Sequence, residues 1–359
     1  MKRISMNVYS LRGRKRLAIE MSGNFLNTTF CPEKPRSLSG RYSFYFLVAL
    51  NFLISVFFIL SSCKSKSHQP PVETDTPTTG ELTISADESF APVVSDEVNN
   101  FENIYAQAKI HVNFKPEPDA VSDLINNRVR EIVIARKLTN DELSYLRKDY
   151  PPRQIMMGID AVVFIVNKQN ADTSFRYDQV VDILSGKILD WKEISNQSSL
   201  GKLSIIFDNK RSSMFRYLKE DVLKGKPISP QAFAVDSNEA VISYVEKDPA
   251  AIGVIGASRI ITLGDTAAKI ILTKVKVAGI SNQDTAGKEI FYHPFHEELM
   301  RKQYPFLRGL YIISREEYAG LGTGFATYVA SDEGQTIVER SGLVPAKQPL
   351  RIIELKNEF

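Results

Sequence analysis

Six consecutive residues, Ala161-Val162-Val163-Phe164-Ile165-Val166, carry neither a charge nor a hydrogen-bonding side chain. A strand that is apolar on both faces needs cover on both, which points to a sheet layered with helices. The rest of the chain agrees with that demand. From Glu81 onward short β-branched runs alternate with stretches at helical spacing, the signature of an α/β fold. Strands are predicted at Leu82–Ser85, Ile110–Phe114, Ile132–Ala135, Leu203–Phe207, Ile252–Ile255 and Leu310–Ile313. Helices are predicted at Val93–Tyr105, Ala120–Asn127, Asp141–Lys148, Tyr177–Leu184, Met214–Leu223, Asn238–Glu246 and around Gly324–Glu339. With 359 residues the chain is long enough for two ordinary domains or one large two-lobed one.

The first 62 residues read as an address rather than as fold. Residues 44–60 are apolar and uncharged, and Arg36 and Arg41 precede them, a basic region followed by a membrane-inserting core. Leu60-Ser61-Ser62-Cys63 closes the run and resembles a bacterial lipobox, which implies lipidation of Cys63 after cleavage; the other reading is a plain transmembrane anchor. Both put the body outside the cytoplasm, in the cell envelope. Met21 offers a second start, so residues 1–62 are expected to be a signal peptide with an upstream extension. Residues 63–80 hold almost nothing apolar and are expected to form a flexible tether.

Charge and thiols narrow the function. The formal charge of +3 conceals a basic leader: residues 1–62 hold nine Lys/Arg and two Asp/Glu, a net of +7, which leaves −4 for the body. A mildly acidic body has no electrostatic footprint for nucleic acid. Cys31 and Cys63 are the whole thiol inventory, so no disulfide framework is expected.

Several stretches then carry a family resemblance. Asp160–Trp191, ending in Leu184-Ser185-Gly186-Lys187-Ile188-Leu189-Asp190-Trp191, resembles the central part of phosphate-transport substrate-binding proteins. In the same order come Ser89-Phe90-Ala91-Pro92, the run from Ala135 to Glu142, Pro249–Gly256, Tyr304–Tyr311, and Ser331–Gln335 with Gly342-Leu343-Val344-Pro345. The resemblance spans residues 82–345 and implies a two-lobed type 2 periplasmic binding protein fold, with a central cleft and crossing hinge strands. Lobe I is expected at 81–160 plus 262–359, lobe II at 161–261. It also implies capture of phosphate or a similar small oxyanion for ABC import, a permease partner, a monomer, and no cofactor.

An ionised oxyanion accepts hydrogen bonds only, so the cleft must supply donors. Ser89 and Phe90 precede the first helix, where free N–H groups point outward; Ser89 either contacts the ligand or caps the helix. Asp208-Asn209-Lys210-Arg211-Ser212-Ser213 resembles the family's Arg-x-x-x-Ser-Gly-Thr turn, with Ser212 and Ser213 on its Ser-Gly pair. Asp208 and Met214 replace its arginine and threonine, and Arg211 or Lys210 would supply the cation, unless both are solvated. Arg136 ends a strand and either grips the anion bidentately or pairs with Asp208. Lys115-Pro116-Glu117-Pro118-Asp119-Ala120 stands where relatives have a glycine- and serine-rich donor loop, and its carboxylates oppose a phosphate.

Two other classes stay on the table. A metal-dependent hydrolase would need His293-Pro294-Phe295-His296-Glu297, the one cluster with metal-like spacing, but Pro294 breaks the helix that would align the rings. A sensor or protein-binding lipoprotein could use the same fold without transport. Trp191 is expected to be a packing residue.

Overall fold

The computed structural model describes residues 75–347, except Arg147, Asp149, 262–265 and 283–288. Cys63, the apolar run at 44–60 and the first part of the tether lie outside the described residues. The end of the expected tether does not behave as one. Asp75 is buried, where it takes Arg130 Nη2 at 2.6 Å and the Leu321 N–H at 3.0 Å, with Tyr318 as a further partner. A short carboxylate can thus anchor a segment with no apolar residues, which hydrophobic patterning does not register.

Strands β1 (Gly80–Asp87), β2 (Ala108–Lys115), β3 (Glu131–Ile134), β4 (Arg153–Asn167), β5 (Ser174–Phe175), β6 (Ser204–Phe207) and β7 (Ala232–Ala234) occupy the first two thirds of the described chain. They are followed by β8 (Ala251–Gly256), β9 (Val275–Val277), β10 (Gly279–Ser281), β11 (Phe291–Tyr292), β12 (Leu307–Ser314) and β13 (Val344–Pro345). Ten of them form one curled sheet in the order β2-β1-β3-β12-β4-β8-β6-β7, with β13 and β9 also pairing to β4. β11, β10 and β5 make a small second sheet.

β4 organises the whole. Its residues Arg153–Ala161 pair antiparallel with β12, and Val162–Val166 pair antiparallel with β8. The apolar run at 161–166 is the second half of a much longer strand, and its side chains are all but fully buried, as its composition demands. β1, β2 and β3 run parallel on one flank, and β8, β6 and β7 run parallel on the other.

Each flank has its own core. One gathers Ile84, Phe101, Leu310 and Phe325; the other gathers Val163, Ile165, Trp191, Ile205 and Val241. Trp191 is completely buried, and its indole N–H donates to the Ala250 carbonyl at 2.9 Å, so it is a packing residue with its polar atom satisfied. Gly253 on β8 is required by that core: a Cβ there would lie 2.7 Å from Val245 Cγ2 and 2.8 Å from Ile165 Cγ1. Gly186 ends the helix Tyr177–Ser185 at φ 76°, the left-handed position that favours glycine.

Four helices differ from the sequence reading, among them the one expected at Asp141–Lys148, which is the shorter Asn140–Ser144. The segment after Lys115 is helix Glu117–Ile125, not a loop before a helix at 120; Pro118 sits in its first turn, where no N–H bond is lost. Met214–Leu223 becomes an α turn, Ser213–Arg216, running into a π-helix, Tyr217–Val222. The predicted C-terminal helix is two, Leu321–Val329 and Asp332–Arg340, divided where Ser331 caps the second by accepting from the Gly334 N–H.

Candidate functional site

The chain leaves β1 at Asp87, makes one 3-10 turn, Glu88–Phe90, and enters the helix Ala91–Ile104. The Asp87 carboxylate accepts from the Ser89 N–H at 3.0 Å and so caps this turn. Ser89 does not cap the helix. The N-cap position is Phe90, with no side-chain bond, and the Ser89 hydroxyl is buried without a hydrogen-bond partner.

Phe90 is buried, and over its ring lies the guanidinium of Arg308, 4.9 Å from the centroid. Arg308 stands on β12 and is itself buried. Its Nε and Nη2 hold Asp160 Oδ2 at 2.9 and 2.8 Å, and its Nη1 donates to Ser213 Oγ at 2.8 Å. Burial pulls the Arg308 pKa down, but the Asp160 and Asp87 carboxylates more than offset this and hold it above the usual arginine value. Burial pushes Asp87 up to about 6, with Glu117 adding to the rise while Arg308, Ser213 and the Ser89 amide oppose it.

Ser212 and Ser213 come from the turn after β6. Ser212 caps the short helix by accepting from the Phe215 N–H at 3.2 Å, and Ser213 is fully buried against Arg308. Asp208, at the end of β6, is also raised, chiefly by burial; the Ser212 hydroxyl and the Asn209 N–H act against the rise.

A second knot of charge adjoins the first. Glu117, fully buried, accepts from Arg136 Nε at 2.8 Å and from the Ala135 N–H at 3.3 Å, and Arg216 Nε approaches it to 2.7 Å. The remaining Arg136 donors reach the Glu142 carboxylate at 2.7 Å and the Lys137 carbonyl at 3.0 Å. Arg136 pairs with Glu117 and Glu142, not with Asp208, which corrects the alternative drawn from sequence: Asp208 is directed at its own turn. Arg211 is more than half exposed and pairs with Asp119 at 2.6 Å. Asn209 Nδ2 donates to Glu88 at 3.3 Å.

The structure therefore gathers Phe90 and Ser213 on Arg308, with the Ser89 N–H bound to Asp87 and Ser212 beside Asp208, two carboxylates that feel the Arg308 charge. Arg136 belongs to the neighbouring Glu117 knot, and Arg211 stands at the rim. A groove of about 1120 Å³ opens beside Ser89 and Phe90 toward Ile242, Arg259, Lys274 and Arg340; the other expected site residues do not line it.

Arg308, Asp160 and Arg216 were not among the residues singled out from sequence, and Glu117 was noted there only as a carboxylate opposing a phosphate. A signal existed for two of them. Arg308 interrupts the otherwise uncharged Leu307–Ile313, and Asp160 directly precedes the apolar run at 161–166. A charge inside a buried strand is costly unless paired, so two such charges in one protein imply each other.

The histidine cluster goes elsewhere. His293 stacks on Phe295 at 5.6 Å, and His296 lies 3.5 Å from Glu339. No group of three metal-capable side chains occurs among the described residues. Nor is any described helix long and apolar enough to cross a membrane.

Comparison with known proteins agrees with this architecture. Residues 71–333 match the family described as the PBP superfamily domain. The phosphate-binding protein PstS of Borreliella burgdorferi is 22% identical over 312 residues, covering 84% of this chain and 99% of that protein. PstS of Staphylococcus aureus strain USA300 is 23% identical over 275 residues, covering 75% and 79% respectively. Among solved structures, an ABC-type phosphate transport receptor from Vibrio cholerae superposes with a TM-score of 0.57 at 17% identity, over 74% of this chain and all of that one. PstS from Borrelia burgdorferi gives 0.52 at 20% identity, over 75% of this chain and 99% of that one. The neighbours share the two-lobed periplasmic binding protein fold.

Proposed function

We propose, from the premise that this chain belongs to the PBP superfamily domain family, that it is an extracytoplasmic binding protein that captures phosphate or a similar small oxyanion and hands it to an ABC permease. The relatives named above are binding proteins, and the chain is read as one. Lobe I takes 81–160 with the chain from β12 onward, and lobe II takes 161–261 with the segment after it, whose Val275, Ile280, Leu299, Tyr304 and Phe306 share the core of Val163 and Ile205; Cys63 carries the lipid anchor, and the protein acts as a monomer.

One observation supports the reading above the others: the Ser89-Phe90 turn, the Ser212-Ser213 turn and a buried guanidinium, Arg308, meet at the ends of β1 and β6. Strand ends in open α/β layers are where ligands collect, and these groups are the donors that an anion needs. The Ser89 hydroxyl is a buried donor that still lacks an acceptor. Asp87 and Asp208 add acceptors, which favours an oxyanion that keeps one of its own hydroxyl protons, as hydrogen phosphate does.

Calorimetry on ligand-stripped protein with phosphate, sulfate, molybdate and small organic acids tests this. Saturable binding of one of the inorganic anions is expected; no heat with any of them sinks the proposal.

A further inference from the structure

We propose that Glu117 is a built-in anion: its carboxylate holds a set of donors adjoining the Ser89, Ser213 and Arg308 cluster that a captured oxyanion would also use, so that this residue sets how tightly the protein binds a free anion. The inference rests on the oxyanion-capture reading above and adds the residue that tunes it.

The surroundings of Glu117 are those of a bound ligand. Its carboxylate is fully buried and meets a guanidinium from each flank of the sheet, Arg136 at 2.8 Å and Arg216 at 2.7 Å, with a backbone N–H from Ala135 at 3.3 Å. Arg136 follows β3, while Arg216 lies in the helix after β6. Glu117 enters from the first turn of its own helix, the segment where the family resemblance leads one to expect glycine and serine donors.

The fit is incomplete on one side. Arg216 Nε is close to Glu117 but not aligned as a hydrogen bond, and its Nε and Nη2 are buried without hydrogen-bond partners. Arg216 Nη1 holds Asp221 at 2.9 Å, so Nη2 is the nitrogen left in reserve, and a purely structural pair normally satisfies its buried donors fully. A tetrahedral anion has more acceptor oxygens than a carboxylate and could occupy those donors together with the ones that Glu117 now uses.

An intramolecular carboxylate competes with free anion at a high effective concentration, so removing it should strengthen binding by about tenfold or more. The test is calorimetric titration of wild type and Glu117→Ala with inorganic phosphate, with the thermal midpoint of each followed against phosphate. The expected result is tighter binding by the variant, and a larger rise of its midpoint with phosphate than in wild type. A simple structural role would destabilise the variant without either gain. Equal or weaker phosphate binding by the variant overturns the proposal and leaves oxyanion capture standing; failure of both proteins to bind any oxyanion overturns both. If Glu117→Ala does not fold, the isosteric Glu117→Gln is read by the same two measurements, and no gain in affinity there also overturns it.

Discussion

Arg308 and Asp160 form a buried ion pair between the two strands that connect the flanks of the sheet, with both Nε and Nη2 within 2.9 Å of a single carboxylate oxygen. Each group is almost wholly removed from water. Such a pair contributes little as a unit, but losing one member strands the other. Arg308→Met is therefore expected to destabilise the protein by about 3–5 kcal/mol. Urea denaturation of the single variants and of the Arg308→Met/Asp160→Leu double variant measures it, and the double variant should recover much of the loss. Additive losses would refute the coupling.

The packing around Gly253 gives a second expectation. A methyl group there meets Val245, Ile165 and Val241, each within 2.9 Å, from three directions. Gly253→Ala should cost about 1–3 kcal/mol by overpacking, read as a lowered urea midpoint at unchanged m-value.

Glu97 supplies a pH dependence. It is buried in the helix Ala91–Ile104, and burial, with Asp96 adding to it, pushes its carboxyl up to about 9 from an ordinary 4.5. The folded state then holds a proton that the unfolded chain releases, so this stabilising contribution is complete below pH 4.5 and is lost as pH rises to about 9. Over that window stability should fall by at most about 1.4 kcal/mol per pH unit because of this one group. Glu97→Gln removes the slope. Denaturation series from pH 5 to 9 on both proteins test it, and parallel curves would dismiss Glu97 as the source.

A fourth expectation concerns cooperativity. Trp191 reports on one core, and far-ultraviolet circular dichroism reports on all of the secondary structure. Because β4 runs through both cores, the two signals should give a single coincident urea transition. Separated midpoints would show that the flanks unfold independently.

How legible was this molecule in its sequence? The alternation of elements was readable because most of them bury one face, or both as at 161–166, and such patterns have a period. The first half of β4 escaped, since Arg153–Gly158 mixes polar and apolar residues and follows two prolines. The start of the helix at Glu117 escaped because Pro116 and Pro118 read as loop, although proline is well suited to a helix's first turn. Of the site, the two serine-bearing turns were visible from their resemblance to a known family. The partners of Arg136 were not: Glu117 and Glu142 are fixed by how the helix packs on the sheet, and no spacing rule carries that information. Arg308 and Asp160 are 148 residues apart and meet only because β4 and β12 are neighbours.

The continuity of β4 also bears on how this protein could be cut. A fragment ending near residue 168 would keep Ala161–Val166 but lose β8 and β9, the strands that cover its hydrogen-bonding edges. A fragment starting after it would present β8 with nothing beside it on that side. Either piece would expose an apolar ribbon with free amides and carbonyls, a template for self-association. The natural unit of expression is thus the uninterrupted chain, and truncation at the junction of the two flanks should give aggregates where a linker between true modules would give soluble parts.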